Sequence, residues 1–256
     1  MKSIKKFYSI SGWKKNIHIT KDAELFEDLR SSAKEYVSKC RLRILRYIPS
    51  KGGKNILDFA SGPIQYKEYL KYSKNFNKRH CVDFSKTAIK QAKLKLGNKG
   101  KYYLEDFAKI KFKENYFDCI ISMHTIYHIN KKKQRSIVLK MLKIAKKKAP
   151  IIIVYSNPKT LISFFKKIFF LKKKKKNLYF YCHPNNWWFQ FENIAHVKIF
   201  PWRSFSSQHQ KILFPNNYLG KILFKFFFKL EDLFPKFFSN HFQYQIDYEI
   251  QYSSKL

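Results

Sequence analysis

A chain of 256 residues, 45% of them hydrophobic, is long enough for one domain with a full core, or one domain plus a cap. A formal charge of +36 points toward polyanions, yet only 7 of the 53 basic residues are Arg, and Gly is scarce at 7 while Lys, Asn, Ile, Phe and Tyr abound, so AT-rich codon usage accounts for much of the charge. Four cysteines without a C-x-x-C pair give no sign of a disulfide framework or zinc site, and the absence of a long apolar run or signal-peptide core predicts a cytoplasmic protein without a spanning helix.

Residues 1–48 read as an N-terminal helical cap. Asp22 is placed to cap a helix in which Leu25, Phe26, Leu29, Ala33 and Val37 recur at helical spacing, and a second short helix is expected over 41–47 before Pro49. After a loop at 49–53, Ile56 and Leu57 open an apolar strand with Asp58 at its end. Ala60, Ser61 and Gly62 are small enough for a tight turn beside a ligand, and Ile64, Tyr66, Tyr69 and Leu70 predict a helix opening at Ile64. Strand, small-residue turn and helix together aim backbone N–H groups at an anionic or polar ligand. The G-x-G-x-x-G of dinucleotide binders is missing.

Residues 80–84 predict a second strand ending in Asp83, followed by a helix capped by Ser85, with Ala88, Ile89, Ala92 and Leu96 on one face and Gly97 at its end. Asp83 follows Gly62 at the spacing where an acid meets ribose hydroxyls in a βαβ nucleotide site; the plainer reading is a surface Asp at a strand end. A third strand at 102–104 leads into Glu105, Asp106 and Phe107, where an acid beside an aromatic can bind and stack on an adenine. A turn at 113–115 precedes the stretch 116–129, a buried strand with His124 and His128 directly after it. Asn130 can cap a helix carrying Ile137, Val138, Met141, Leu142 and Ala145, and Lys146 to Lys148 suit its C-terminal dipole. Residues 151–155 form a fifth, fully buried strand.

Beyond Tyr155 come an apolar aromatic stretch at 161–171, a lysine run at 172–176 and an irregular segment containing Cys182 and His183. Residues 197–200 and 243–251 alternate as sixth and seventh strands, with a Phe-rich helical insert at 217–238 between them.

The order β-α-β-α-β-β-α-β specifies an α/β fold with a mainly parallel sheet. In its motifs the chain resembles class I S-adenosylmethionine (SAM) methyltransferases, close to the methyltransferase type 11 group. Asp58 stands as the acid before a G-x-G-x-G in which Ala60 replaces the first Gly and Ile64 the third, and Phe117 to Ser122 read F-D-x-I-x-S ahead of His128. The resemblance implies a Rossmann-like three-layer sandwich with a seven-stranded, mainly parallel sheet whose last strand is antiparallel. It divides the chain into the cap at 1–48, a SAM-binding core at 49–160 and a C-terminal part with substrate-facing inserts at 161–256. It implies SAM as cofactor, lined by Asp58, Ala60, Ser61, Gly62, Tyr66, Asp83, Phe84, Asp106, Phe107 and Met123, with Gly62 at the methionine portion, Asp83 at the ribose and Asp106 with Phe107 at the adenine.

In-line methyl transfer depends on alignment, and an oxygen nucleophile also gains from a base. His124, His128 and His183 are the candidates, with Tyr127 and Tyr155 as orienters; His128 equally suits a structural role at the helix start. Nucleobase amine methylation would need an Asn/Asp-Pro-Pro-aromatic run where Met123 to Ile126 stand, and cytosine C5 chemistry a suitably placed Cys. The expected acceptor is therefore a small molecule or a cell-envelope saccharide or lipid-linked intermediate. The alternatives are an RNA methyltransferase or a non-catalytic basic protein that binds nucleic acid or membrane. The low Arg content speaks against a dedicated nucleic-acid site. The segments 161–176 and 217–238 either rest on an anionic membrane at its inner face or pack on the sheet over the acceptor pocket.

Overall fold

The central strands owe their unbroken apolar runs to being covered on both faces, as parallel strands are. Successive residues of a strand point to opposite sides, and two cores divide accordingly. Leu57, Phe59, Ile120, Ile151 and Ile153 enter one cluster, packed beneath Ile137, Val138, Met141 and Leu142. Their neighbours Ile56, Cys119, Ile121, Ile152 and Val154 enter the other, with Ile44, Tyr72 and Trp202. The structure, a computed structural model, describes residues 7–8, 13–16, 19–22, 30–158, 179–241 and 245–252.

Strands β1 (Trp13–Asn16) and β2 (Ile19–Asp22) form an antiparallel hairpin. The main sheet holds β3 (Gly53–Phe59), β4 (Phe76–Asp83), β5 (Gly100–Leu104), β6 (Cys119–Met123), β7 (Pro150–Tyr155), β8 (Ala195–Arg203) and β9 (Gln245–Tyr252), in the order β5-β4-β3-β6-β7-β9-β8. The first five run parallel, and β9 lies antiparallel to both of its neighbours. The helices are α1 (Lys34–Leu42), α2 (Lys67–Leu70), α3 (Lys86–Leu96), α4 (Lys131–Ile144), α5 (Ser207–Leu213), α6 (Tyr218–Leu233) and α7 (Pro235–His241). This is the expected Rossmann-like α/β class. Helix α3 begins where Ser85 Oγ accepts from the Ala88 N–H and stops at Gly97, whose φ is 50°. Asn130 caps α4 by accepting from the Lys132 N–H. Cys40, Cys81, Cys119 and Cys182 are free thiols.

Asp22 ends β2, and residues 23–29, where the helix it would cap is expected, lie outside the described residues; α1 follows a 3-10 turn at Ser31–Ala33. Leu25, Phe26 and Leu29 lie outside the described residues, as do the segment 161–176 and residues 243–244. The helix expected from Ile64 begins at Lys67 and lasts one turn before a 3-10 turn at Lys71–Ser73. Ile64 has φ 49° and Tyr66 is extended, so neither has helical backbone geometry, and Tyr66 serves only as the N-cap, its carbonyl accepting the Tyr69 N–H.

The arm and the C-terminal helices close on each other through a third core, in which Tyr36, Val37 and Cys40 meet Phe205, Phe214 and Phe224. At its centre Glu231, wholly buried, accepts from Tyr36 Oη at 2.7 Å, Arg43 Nη1 at 2.6 Å and the Ser204 N–H at 3.0 Å. Arg43 also donates to the carbonyls of Trp202 and Phe228. Charge is thus buried together with hydrogen-bond partners, though Arg43 Nε has none among the described residues.

Candidate functional site

The turn after β3 keeps a glycine-like backbone without the glycines. Ala60, Gly62 and Ile64 have φ of 56°, 58° and 49°, all in the left-handed region. Only glycine enters that region freely, and a β-branched residue there is an outlier. The turn is held from both sides. Ser61 donates its N–H to the Val82 carbonyl at 3.2 Å, and Gly62 donates to Asp83 Oδ2 at 3.0 Å. Ile64 meanwhile is 1% exposed, packed with Cys81 and Ala92, so burial of its side chain offsets the strain of its backbone.

Asp83, at the end of β4, also accepts the Ser85 N–H through Oδ1 at 2.8 Å. Burial pushes its carboxyl up to about 6, against the pull of those two backbone donors, with the charge of Asp58 adding to the rise. Two hydrogen bonds leave a carboxylate with acceptor sites to spare. Phe84 is partly exposed with Tyr8 near its ring at 6.4 Å, and Ser85 Oγ donates to the Tyr8 carbonyl. Residues 7–8 therefore lie over this end of the sheet.

Four adjacent parallel strands, β5, β4, β3 and β6, bring Asp106, Asp83, the 60–62 turn and Met123 to one edge. Asp106 is exposed and accepts the Ala108 N–H at 2.9 Å. Met123 is partly buried at the end of β6. Tyr66 lies under the Arg41 guanidinium, 3.3 Å from ring centroid to carbon. A turn open at Ala60 and Ser61, an acid with unused acceptor sites and an exposed acid one strand further suit a nucleoside bearing a polar tail.

Two of the expected cofactor contacts have other occupations. Asp58 is 2% exposed and receives Arg79 Nη2 at 2.5 Å and Nε at 3.1 Å. Burial pushes its carboxyl up and Arg79 opposes the rise, so it anchors the strand end from inside instead of facing a ligand. Phe107 is 1% exposed, with Phe59 at 4.4 Å and the Lys140 ammonium 4.6 Å from its ring; it is a core side chain below the edge, not an open stacking face.

The three histidines sit differently. His124 follows β6 with φ 58° and lies 4.8 Å from Trp202, edge to face. Burial, then the charges of Arg203 and Arg41, hold its pKa well below the ordinary value, which makes it a weak base. His128, closing the 3-10 turn Ile126–His128, has Nδ1 at 2.8 Å from the Tyr179 carbonyl. A carbonyl only accepts, so that nitrogen carries the proton and Nε2 is the basic atom of the neutral ring. His183 stacks on Trp187 at 4.2 Å and 6°. Its N–H donates to Tyr155 Oη, which donates to Gln134 Oε1. Its Nε2 is buried with no hydrogen-bond partner among the described residues, and burial lowers its pKa.

A cavity of about 220 Å³ is lined by Asn157, Pro184, Asn185, Asn186 and Asn240, and His183 precedes Pro184 of that lining in sequence. Asn157 follows β7 and donates to the Ser239 carbonyl of α7, as does Asn185. Sequence reading expects the segment that holds Asn185 and Asn186 to face the substrate, but it singles out neither Asn157 and Asn240 of this wall nor Arg41 and Trp202. Among the described residues no three His, Cys, Asp or Glu side chains gather as a metal site.

Residues 57–153 match the family described as methyltransferase domain. No curated protein matches the chain in sequence. Among solved structures, a SAM-dependent methyltransferase from Archaeoglobus fulgidus is 19% identical with a TM-score of 0.53, over 86% of this chain and 97% of that one. Magnesium protoporphyrin IX methyltransferase from Synechocystis, with bound S-adenosylhomocysteine, is 12% identical with a TM-score of 0.53, over 86% and 84%. Phosphoethanolamine N-methyltransferase 2 from Haemonchus contortus, in complex with SAM, is 14% identical with a TM-score of 0.53, over 84% of this chain and 52% of that one. At such identities the likeness is one of fold.

Proposed function

We propose, from the premise that residues 57–153 are a SAM-dependent methyltransferase domain, that this protein methylates an oxygen of a small polar acceptor, a saccharide or a lipid-linked saccharide intermediate. The observation that carries the cofactor assignment is the single edge formed by the 60–62 turn, Asp83, Asp106 and Met123 on four adjacent strands. Bound SAM supplies an electrophilic methyl group on a sulfonium.

The residues then divide the work. The turn at Ala60 to Gly62 receives the methionine portion, Asp83 accepts from the ribose hydroxyls, and Asp106 with Phe84 meets the adenine. Ser61 and Tyr66 close the methionine side, and Met123 lies under the transfer axis. The carboxamides of Asn157, Asn185, Asn186 and Asn240 suit an acceptor rich in hydroxyls, because an amide both donates and accepts. The cavity is smaller than the roughly 300–1,000 Å³ of drug-sized sites, so it takes one ring or polar group of the acceptor. His183, whose chain neighbour Pro184 lines the cavity, is the histidine assigned to take the acceptor's proton through Nε2 as the new O–CH₃ bond forms and the S–CH₃ bond breaks. Stacking on Trp187 fixes its ring, and its lowered pKa keeps it neutral and basic at pH 7. His128 orders the Tyr179 segment, and His124 shapes the wall beside Trp202. The cap at 1–48 and the inserts in 161–256 act together as the acceptor-side cover on the core at 49–160.

Titration calorimetry of the protein with SAM and with S-adenosylhomocysteine tests the cofactor, using Asp83→Ala for comparison. Saturable heat that weakens at least tenfold in the variant is expected; no heat with either compound in the folded parent ends the proposal. Methyl transfer from labelled SAM into extracted glycans or glycolipids, lost in His183→Gln while SAM still binds, tests the acceptor side.

A further inference from the structure

Helix α6 uses one face to hold the fold and leaves the opposite face bare. Gly220, Phe224 and Glu231 are buried, while Tyr218 is 76% exposed, Leu219 55%, Ile222 46%, Phe226 54% and Leu233 70%. At roughly 100° per residue, Leu219, Ile222, Phe226 and Leu233 fall within about 60° of one another around the axis. Lys221, Lys225 and Lys229, all exposed, repeat every fourth residue and form a second stripe beside the first.

Of the two acids of this helix, Glu231 lies on the buried side, and Asp232 falls at the angle of the lysine stripe, where arginines of the arm neutralise it. Glu231 is wholly buried against Tyr36 and Arg43. Asp232 is held by Arg46 through two bonds of 2.9 and 2.8 Å, with Arg43 at 3.2 Å. Among the described residues, Glu35 of α1 is the acid that pairs with these lysines, 3.8 Å from Lys225 and shared with Lys39 at 2.8 Å. The face is therefore cationic and apolar together.

We propose that this face of α6 is a docking surface for an anionic lipid bilayer, with the apolar stripe entering the headgroup boundary and the lysine stripe lying over acidic headgroups. Exposed aliphatic and aromatic side chains lose nothing by leaving water, and lysines gain from a negative leaflet. A nucleic acid would satisfy the lysines but leave Leu219, Ile222 and Leu233 in contact with phosphate or water. A second copy would bring one molecule of formal charge +36 against another. No helix among the described residues is long and apolar enough to cross a membrane, so the contact is peripheral. The clasp of Glu231 to the arm keeps the buried face in place, so docking needs no unfolding of the helix. The proposal does not depend on the acceptor reading, though a membrane-bound acceptor would be reached from such a surface.

The test is sedimentation of the full chain with vesicles of phosphatidylcholine alone or with one quarter phosphatidylglycerol. Two variants accompany the parent, Lys221→Gln/Lys225→Gln/Lys229→Gln and Ile222→Ser/Phe226→Ser, all at exposed positions, with melting curves to show that each is folded. The parent is expected in the pellet only with the anionic vesicles. The triple variant should bind on the order of a hundredfold more weakly, and the double variant at least tenfold more weakly with its charge intact. Four results would overturn the proposal. The parent could remain in the supernatant, or pellet equally with both vesicles. Both variants could pellet like the parent, which would assign binding to another segment. Or the parent could form a dimer without vesicles that Ile222→Ser/Phe226→Ser dissolves, which would give the face to a second copy.

Discussion

The Gly62 N–H and the Asp83 carboxylate are joined by a 3.0 Å hydrogen bond that ties the turn after β3 to the end of β4. The same carboxylate takes the first N–H of the α3 cap, at Ser85. One side chain therefore sets the spacing between the two strand ends on which a nucleoside would rest.

Cofactor affinity should follow the ionisation of that carboxylate. Burial raises it to about 6, and only the ionised form presents all its acceptor sites to ribose hydroxyls. Ligand binding favours the charged form, so affinity for SAM should be constant above pH 7 and fall by up to about tenfold per unit below pH 6. Calorimetry from pH 5 to 8 checks this. Asp83→Asn should bind more weakly at pH 7.5 and show a flatter profile; an equally steep profile in the variant would assign the titration elsewhere.

The two departures from glycine in the turn should respond in opposite directions. A left-handed backbone costs an ordinary residue about 1–2 kcal/mol, and glycine loses about 0.5–1 kcal/mol more chain entropy than Ala. Ala60→Gly should therefore be neutral or stabilise by up to about 1 kcal/mol. Ile64→Gly relieves the same strain but empties a site that is 1% exposed, where truncation costs about 2–5 kcal/mol. It should destabilise by about 2 kcal/mol or more. Urea unfolding of both variants decides it, and a loss above about 1 kcal/mol for Ala60→Gly would mean that its methyl group is packed, not merely tolerated.

What was readable in the sequence was local. Ser85, Asn130 and Gly97 cap or stop helices through atoms two to four residues away, so their chemistry is written beside them. The buried strands declared themselves because both faces are covered, and Asp83 because the strand–turn spacing puts an acid there. Phe107 was misread because an aromatic after a strand looks the same whether it faces a ligand or Phe59. The Glu231 cluster was invisible, since Arg43 and Glu231 are 188 residues apart and an acid among lysines reads as a surface residue.

That cluster makes a sharp stability prediction. Glu231→Ala takes from Arg43, itself 2% exposed, its buried carboxylate partner, a loss that costs about 3–5 kcal/mol when nothing replaces it and is offset in part here by Asp232 at 3.2 Å. Asp232→Ala loses a pair with Arg46, whose side chain is 51% exposed, and such pairs are worth about 1 kcal/mol or less; the Arg43 contact adds modestly to that. Thermal and urea unfolding should rank the two variants in that order. Equal losses would show that the clasp is carried by Tyr36, Val37 and the phenylalanines around it, with the charges incidental.

The acid response of the fold should hide two opposed groups. His80 is buried with Nδ1 accepting from Tyr103 Oη at 2.9 Å and Nε2 donating to Asn55 Oδ1 at 3.0 Å, and burial, with the Lys101 charge, lowers its pKa to about 4. An unfolded His protonates near 6.5, so His80 contributes stability that is complete above pH 6.5 and lost as pH falls toward 4. Asp83 works the other way. Its folded value of about 6 exceeds the unfolded 3.8, so its contribution is complete below pH 3.8 and lost as pH rises through 6. Between pH 4 and 6 the two slopes have opposite sign and largely cancel. Relative to the parent, Asp83→Asn should therefore lose stability more steeply on acidification over this range, and His80→Gln less steeply. Urea midpoints at half-unit steps from pH 4 to 7 measure both differences, and variants whose profiles stay parallel to the parent would show that neither group titrates with the fold.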